Sequence, residues 1–476
     1  VLRSFRMGNH RSFRDEQELL LMPVYVKDRE VLPVAAVYGA NASGKSNLLD
    51  GLKFMADAVR DSFAQWRPGG GVPRRPFKLD PTTRDRPSVF VVDLVLGGVR
   101  YTYGFEVDDR HVLAEWLYSY PEKRKRVLFD RSGDSVKFGT TVADVGAKVE
   151  VLESLLRSDS LFLSLAGRSN LAVLQPVYRW FVDQLVFRLS DDDSANLEAR
   201  IADFMLANPG LRDRVVGLLG AADLGITDIA VVVDPATDDG VEIRAAEDVV
   251  VKARASLRLA EADLEEVEAE MKRIGKGSGL AARRRMLRGR VDAAARDYGE
   301  AHRNIRRTLA AADRARREIQ LAHGVIGEPF RLDDESAGTL SWLSLLPTVL
   351  TVLDEGGVLV IDEIDASLHS LLSARLVALF NDREVNAAGG QLIFTTHDAT
   401  LLNPPLADEV LDRDEVWFVE KSPAGVSTLY PLTDFKPRRE DNLERRYLAG
   451  QYGGVPNVYG ELFAEAVRGG GIDGEA

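Results

Sequence analysis

An eight-residue run, Gly39-Ala40-Asn41-Ala42-Ser43-Gly44-Lys45-Ser46, matches the pattern G-x-x-x-x-G-K-[ST] and limits what this chain can fold into more than any other feature. A phosphate needs a loop whose backbone N–H groups point inward, which glycines at the tight positions permit. It also needs a helix N-terminus whose partial positive charge faces the anion. The flanks supply both: Val34-Ala35-Ala36-Val37-Tyr38 reads as an apolar strand, and Leu48, Leu52, Met55, Val59 and Phe63 recur at helical spacing over residues 47–63. Strand, glycine loop and helix together predict a nucleotide site in which Gly39, Asn41, Gly44, Lys45, Ser46 and Asn47 meet the phosphates. Lys45 is expected on the β- and γ-phosphates, and Ser46 on Mg2+.

Val358-Leu359-Val360-Ile361-Asp362-Glu363 is a short apolar run ending in two acids, the pattern of a buried parallel strand that delivers carboxylates at its C-terminal edge. Asp362 is expected to hold Mg2+ and Glu363 to polarise the attacking water. Upstream, Asp334-Glu335-Ser336-Ala337-Gly338-Thr339 opens a helix and offers Ser336, Gly338 and a second helix dipole to an anion. Downstream, Gln391-Leu392-Ile393-Phe394-Thr395-Thr396-His397 is a strand ending in a histidine, and His397 joins Lys45 and Glu363 as a catalytic candidate. A strand-end histidine is usually structural, and Ser-x-Gly-Thr at a helix start is usually only a cap. Their order along the chain, glycine loop, Ser-x-Gly, Asp-Glu and His, is what carries the assignment.

Composition removes other chemistries. The chain has no cysteine, which excludes disulfide scaffolds, thiolate zinc sites, iron–sulfur clusters and Cys nucleophiles. With 74 acidic against 61 basic residues the net charge is -13, so nucleic acid can be held only by a local basic patch. The first residues, Val1-Leu2-Arg3-Ser4-Phe5-Arg6, have no apolar core behind their arginines, and a cytoplasmic protein is expected. The longest uncharged stretch, residues 336–353, is broken by Ser336, Thr339, Ser341, Ser344 and Pro347. It reads as a buried helix, and no membrane partner is expected.

Alternation at Tyr101, Tyr103, Phe105 and Val107 beside the Gly97-Gly98 turn predicts an antiparallel meander. Helical spacing follows from about residue 150 to 182, with a strand near residues 185–189 and an acidic break at Asp191-Asp192-Asp193. Further on, Val250, Ala253, Leu257, Ala260, Leu264, Val267, Met271 and Ile274 alternate intervals of three and four, as a coiled-coil seam does. Gly275-Lys276-Gly277-Ser278-Gly279 interrupts it. A second arm from Leu287 through Ala301 and Ala315 to Ile319 resumes the seam, so the two arms can close as an antiparallel hairpin. Residues 280–321 carry 12 Arg against five acidic residues, a surface for either nucleic acid or a protein effector. The expected organisation is an α/β P-loop NTPase with a mixed sheet, the meander and an inserted coiled-coil hairpin. Residues 1–190 form the first half of the head, 191–249 a connecting subdomain, 250–323 the hairpin and 324–476 the second half of the head.

These motifs resemble the ABC-class ATPases of the RecF, SMC and OLD branch, and more narrowly the bacterial AAA-family ATP-binding proteins often found in defence gene clusters. The opening Asn9-His10-Arg11-Ser12-Phe13, the late Asp434-Phe435-Lys436-Pro437-Arg438 and Tyr452-Gly453-Gly454-Val455-Pro456 are similar to that narrower group. The resemblance implies ATP and Mg2+ as cofactors, a Walker A loop at residues 39–46, a signature at Ser336 to Thr339 and a Walker B at Asp362 and Glu363. It also implies a D-loop from Asp365 to Leu368, with Asp365 near the nucleotide, and a switch histidine at His397. The signature here is Glu-Ser-Ala-Gly-Thr rather than Leu-Ser-Gly-Gly-Gln, so Ser336 and Gly338 carry over. Gln175 and Gln184 are the candidates for a Q-loop. Only 79 residues follow His397, too few for the nuclease domain that OLD proteins carry there. The resemblance implies a Mg2+-dependent ATPase that dimerises on ATP and acts in nucleic-acid metabolism or anti-phage defence with a separate effector. The alternatives are a non-hydrolysing ATP-dependent scaffold or a transporter ATPase subunit.

Overall fold

The computed structural model describes residues 1–139, 146–169, 171–189, 197–233, 240–274, 278–315, 317–324, 328–366, 368–403 and 410–456. The expected acidic break at Asp191–Asp193 and residues 275–277 of the expected helix interruption lie outside them. The chain forms two compact units, one of residues 1–192 with 345–476 and one of residues 193–344.

In the first unit the strand Val34–Tyr38 is buried at every residue, as its run of small and β-branched side chains requires of a strand covered on both faces. It lies third in a six-stranded sheet ordered Ser427–Pro431, Val416–Lys421, Val34–Tyr38, Gln391–Thr395, Val358–Ile361 and Leu185–Arg188. All neighbours are parallel except the antiparallel edge pair of residues 416–421 with 427–431. The loop after Val34–Tyr38 and the acids after Val358–Ile361 therefore leave the same edge of the sheet, one strand apart.

A second, seven-stranded sheet is antiparallel throughout and includes the expected meander from Ser88 to Phe138. Gln391 ties it to the first sheet: its side chain accepts from Leu2 N–H at 2.6 Å and donates to the carbonyls of Leu2 at 2.9 Å and Leu32 at 3.0 Å. Inside the meander's cover, Glu115 and Arg131 are wholly buried. Glu115 accepts from Phe162 N–H, Leu163 N–H and the Tyr103 hydroxyl, so the helix Phe162–Arg168 is capped from the sheet. Burial raises the Glu115 carboxyl, while the Arg131 charge and these donors pull it back.

The second unit holds a three-stranded sheet of Ile226–Val233, Arg317–His323 and Phe330–Arg331, with the helices Leu197–Ala207 and Arg212–Ala221 against it. It also holds two long helices, Gly240–Ile274 and Ser278–Ala315. Their ion pairs, Arg284 with Glu268 at 2.7 Å and Arg290 with Asp263 at 3.3 Å, match rising positions on one to falling positions on the other, so the two run antiparallel. Ala260, Val267, Leu287 and Ala301 are buried along them. The sequence reading needs two corrections here. The first helix starts ten residues before Val250, and Ile319 is not on the second helix but in the strand Arg317–His323, where Val231 pairs with it. Strand pairing with residues roughly 90 positions earlier overrides a local helical period. Apart from Ser336, the uncharged stretch lies within the helix Ala337–Glu355, which is long and apolar enough by composition to cross a membrane and is half buried in the fold.

Below the first sheet, Asp414 accepts from the N–H groups of Val24, Tyr25 and Val26 at 2.8–3.0 Å, while the adjacent Glu415 is buried. Burial pushes the Glu415 carboxyl up from its ordinary 4.5 to about 8, opposed by hydrogen bonds from Asn381 and Asp412 N–H. A raised carboxyl pKa makes the folded state hold a proton that the unfolded state loses. This contribution to stability is full below pH 4.5 and disappears as pH rises through about 8. Glu415→Gln keeps an acceptor without the charge. Its melting temperature, followed by circular dichroism from pH 5 to 8.5, is expected to fall less than that of the wild type, whose extra slope reaches about 1.4 kcal/mol per pH unit. Parallel curves for the two proteins would contradict the assignment.

Candidate functional site

Two close approaches and one left-handed residue shape the loop from Gly39 to Gly44. A side chain at Gly39 would come within 2.4 Å of the Val419 carbonyl, and one at Gly44, whose φ is 119°, within 2.5 Å of Ser427 Oγ. Ala42 takes a left-handed φ of 60°. Ser427 donates to the Ser43 carbonyl at 2.5 Å and lies 2.8 Å from Ser12 Oγ, which accepts from Asn47. A hydroxyl from the edge strand and one from the N-terminal Asn-His-Arg-Ser-Phe segment thus support the loop. The same segment grips the following helix, since Asp50 receives His10 Nε2 at 2.8 Å and the Arg11 guanidinium at 2.5 and 2.7 Å. The donors of His10 and Arg11 outweigh burial and bring the Asp50 carboxyl down to about 2.

The helix itself, Lys45–Asp61, has no side-chain cap and no acid in its first turn. Its first N–H groups and its dipole are directed at the loop, which suits an anion there. Lys45 is nearly buried, with Nζ donating to the carbonyls of Gly39 at 2.9 Å and Ala40 at 3.2 Å and to His397 Nε2 at 3.0 Å. Burial lowers its ammonium to about 8, against the pull of Glu363, Asp362 and Asp365. A buried ammonium faced by carbonyls and an imidazole fits a polyanionic ligand.

Ser46 Oγ donates to Asp362 Oδ1 at 3.1 Å, so the two expected metal ligands touch. A hydroxyl and a carboxylate are hard oxygen donors of the kind Mg2+ takes while keeping several waters, and the donor set fits that ion. Glu363 follows in a left-handed conformation, φ 53°, with its N–H bonded to Thr395 Oγ1 at 2.7 Å and its carboxylate 3.8 Å from His397 Nε2. His397 is lowered from 6.5, first by burial and then by the Lys45 charge, so the neutral imidazole that accepts from Lys45 prevails at pH 7. Asp365 accepts from the His397 backbone N–H at 3.3 Å.

Lys45, Ser46, Asp362, Glu363, Asp365 and His397 are therefore brought together in the first unit. Ser336 and Gly338 belong to the second. Ser336 caps the helix Ala337–Glu355, its Oγ accepting from Thr339 N–H at 3.2 Å. Thr339, the last of three residues at which this run departs from Leu-Ser-Gly-Gly-Gln, is buried with its hydroxyl 2.9 Å from Ser336 Oγ. Gln175 spends its amide on the Gly167 carbonyl. Sequence reasoning missed Ser12, Ser427, Asp50 and Thr395. Ser12 and Thr395 lay in segments already singled out, though not for these side chains, and nothing local marked the roles of Ser427 and Asp50.

Residues 34–403 match the model of the AAA_21 family, described as "AAA domain, putative AbiEii toxin, Type IV TA system". Among solved structures, the chain is similar to the Smc head domain with an extended coiled coil bound to the C-terminal domain of ScpA from Pyrococcus furiosus. Identity there is 14%, with 92% of this chain and 98% of that chain covered and a TM-score of 0.36. The SMC head domain from Thermotoga maritima is similar at 13% identity, covering 90% of this chain and 98% of that one, with a TM-score of 0.38. No curated protein matches the chain.

The geometry around Lys45 generates a direct expectation. Lys45→Ala removes a charged donor from the phosphates and is expected to weaken ATP binding in calorimetry by about 1.5–3 kcal/mol, roughly 10- to 150-fold. Unchanged affinity would show that the phosphates bind elsewhere.

Proposed function

The chain belongs to the AAA_21 family of AAA-domain proteins, and from that premise we propose that it is a Mg2+-dependent ATPase whose nucleotide joins two copies. One observation carries the reading: a left-handed turn holds Glu363 beside His397 and Lys45, one residue past the carboxylate that meets Ser46. Lys45 binds the β- and γ-phosphates, and the uncapped helix start orients them. When bound at Ser46 and Asp362, Mg2+ neutralises charge on the phosphate oxygens. Glu363 accepts a proton from the attacking water, and His397, whose two ring nitrogens lie 3.0 and 3.4 Å from Lys45 Nζ, donates to the γ-phosphate once Lys45 turns to the phosphates. The scaffold alternative leaves Glu363 without a task.

The capped helix start at Ser336 and Gly338 is the second anion site of the scheme, supplied by the other copy. Binding then closes the dimer and hydrolysis opens it. The two long helices act as a coiled-coil lever that passes this cycle to a separately encoded effector, a role in keeping with the toxin–antitoxin wording of the family description.

Glu363→Gln is expected to bind ATP normally, to lose turnover by at least about 100-fold, and to raise the ATP-dependent dimer fraction in light scattering. Wild-type turnover in this variant would remove Glu363 as the base. The shared site is tested by mixing: Ser336→Arg and Lys45→Ala chains, each inactive alone, are expected to regain part of the activity through the one intact interface of the heterodimer. Two folded chains that recover nothing at any ratio would argue against a shared site.

A further inference from the structure

Thr395 is the last residue of the strand Gln391–Thr395 and has no solvent exposure. Its hydroxyl has one proton to give and two lone pairs to offer. The proton goes to Asp362 Oδ1, 2.5 Å away, and a lone pair takes the Glu363 N–H at 2.7 Å. The Thr395 carbonyl then accepts from Ile364 N–H at 3.0 Å. One residue is thus bonded to three consecutive residues of the turn that presents both acids. Two features of that turn call for such a partner. Glu363 has a φ of 53°, which a residue with a side chain holds only when its surroundings impose it. Asp362 Oδ1 also receives the Ser46 hydroxyl, leaving Oδ2 as the oxygen with no protein donor among the described residues.

We propose that Thr395 is a positioning residue for the metal and the base. Through its single hydroxyl it orients the Asp362 carboxylate so that Oδ2 is turned to the metal, and it holds the backbone of Glu363 in the left-handed conformation that aims its carboxylate at the γ-phosphate side of the site. An apolar isostere would fill the same volume and do neither. The inference rests on Asp362 and Glu363 having the roles assigned above. It adds that their geometry is imposed by the neighbouring strand, not by the turn itself.

The test uses the full-length chain and two substitutions. Thr395→Val keeps the shape and removes the hydroxyl; Thr395→Ser keeps the hydroxyl and removes the methyl. ATP affinity is measured by calorimetry across a Mg2+ titration and in EDTA, turnover is measured at saturating ATP, and melting temperatures are recorded in parallel. Thr395→Val is expected to raise the Mg2+ concentration for half-maximal ATP binding by roughly 10- to 100-fold, as loss of a partner to a metal ligand does elsewhere. ATP affinity in EDTA should stay unchanged, and kcat should fall more than KM rises. Thr395→Ser is expected to restore both quantities. If Thr395→Val melts below the assay temperature, Thr395→Ala is compared with Thr395→Ser in its place. A Val or Ala variant with wild-type Mg2+ dependence and kcat overturns the inference and leaves the ATPase reading standing, as does a Ser variant that fails equally. A wild-type chain whose ATP binding ignores Mg2+ overturns both, so the two failures are told apart by the wild type alone.

Discussion

A buried ammonium is expensive unless something answers its charge, and the first unit is organised around that requirement at Lys45. The carbonyls of Gly39 and Ala40 and the ring of His397 satisfy its hydrogens, while Asp362, Glu363 and Asp365 supply the opposing charge. None of the acids is near Lys45 in sequence; the Lys45 to His397 contact spans 352 positions. The loop can exist in this form only once the strand Val34–Tyr38 is paired on one side with Gln391–Thr395 and on the other with Val416–Lys421. Phosphate binding is therefore a property of the closed sheet and not of the glycine loop alone.

Several buried polar groups hold that sheet to the rest of its unit. Gln391 stitches the first strand of the antiparallel sheet to the parallel one, and Glu115 reaches from the meander to two helix N–H groups. Such groups cost more when left single than they contribute when paired, so they specify a unique arrangement of layers more than they add to stability. His10 and Arg11 do the same for the helix behind the loop, by way of Asp50. The N-terminal segment and the edge strand at Ser427 thereby bear on the loop from outside its motif.

The features legible in the sequence were local. The glycine loop, the Asp-Glu strand end, the Ser-x-Gly helix start and the strand-end histidine are each specified by a short run of neighbouring residues, and each stands where its pattern placed it. Where the reading failed, a distant partner had overruled a local preference. Ile319 continued a helical period and yet lies in a strand, because Val231 offers it a ladder partner.

The sequence by itself determined the kinds of group available: a glycine loop with its lysine, two acids, a histidine, a hydroxyl at Ser46, and no thiol chemistry. The tertiary structure decided which of them meet and at what angle. Ser46 touching Asp362, Glu363 held left-handed over Thr395 and His397 sharing Lys45 are contacts between residues 32 to 352 positions apart. The reason is physical. A motif encodes a conformation through the dihedral preferences and hydrophobic period of a few neighbours, whereas a hydrogen bond between strands depends on which strands become adjacent. Only burial of the whole sheet settles that order.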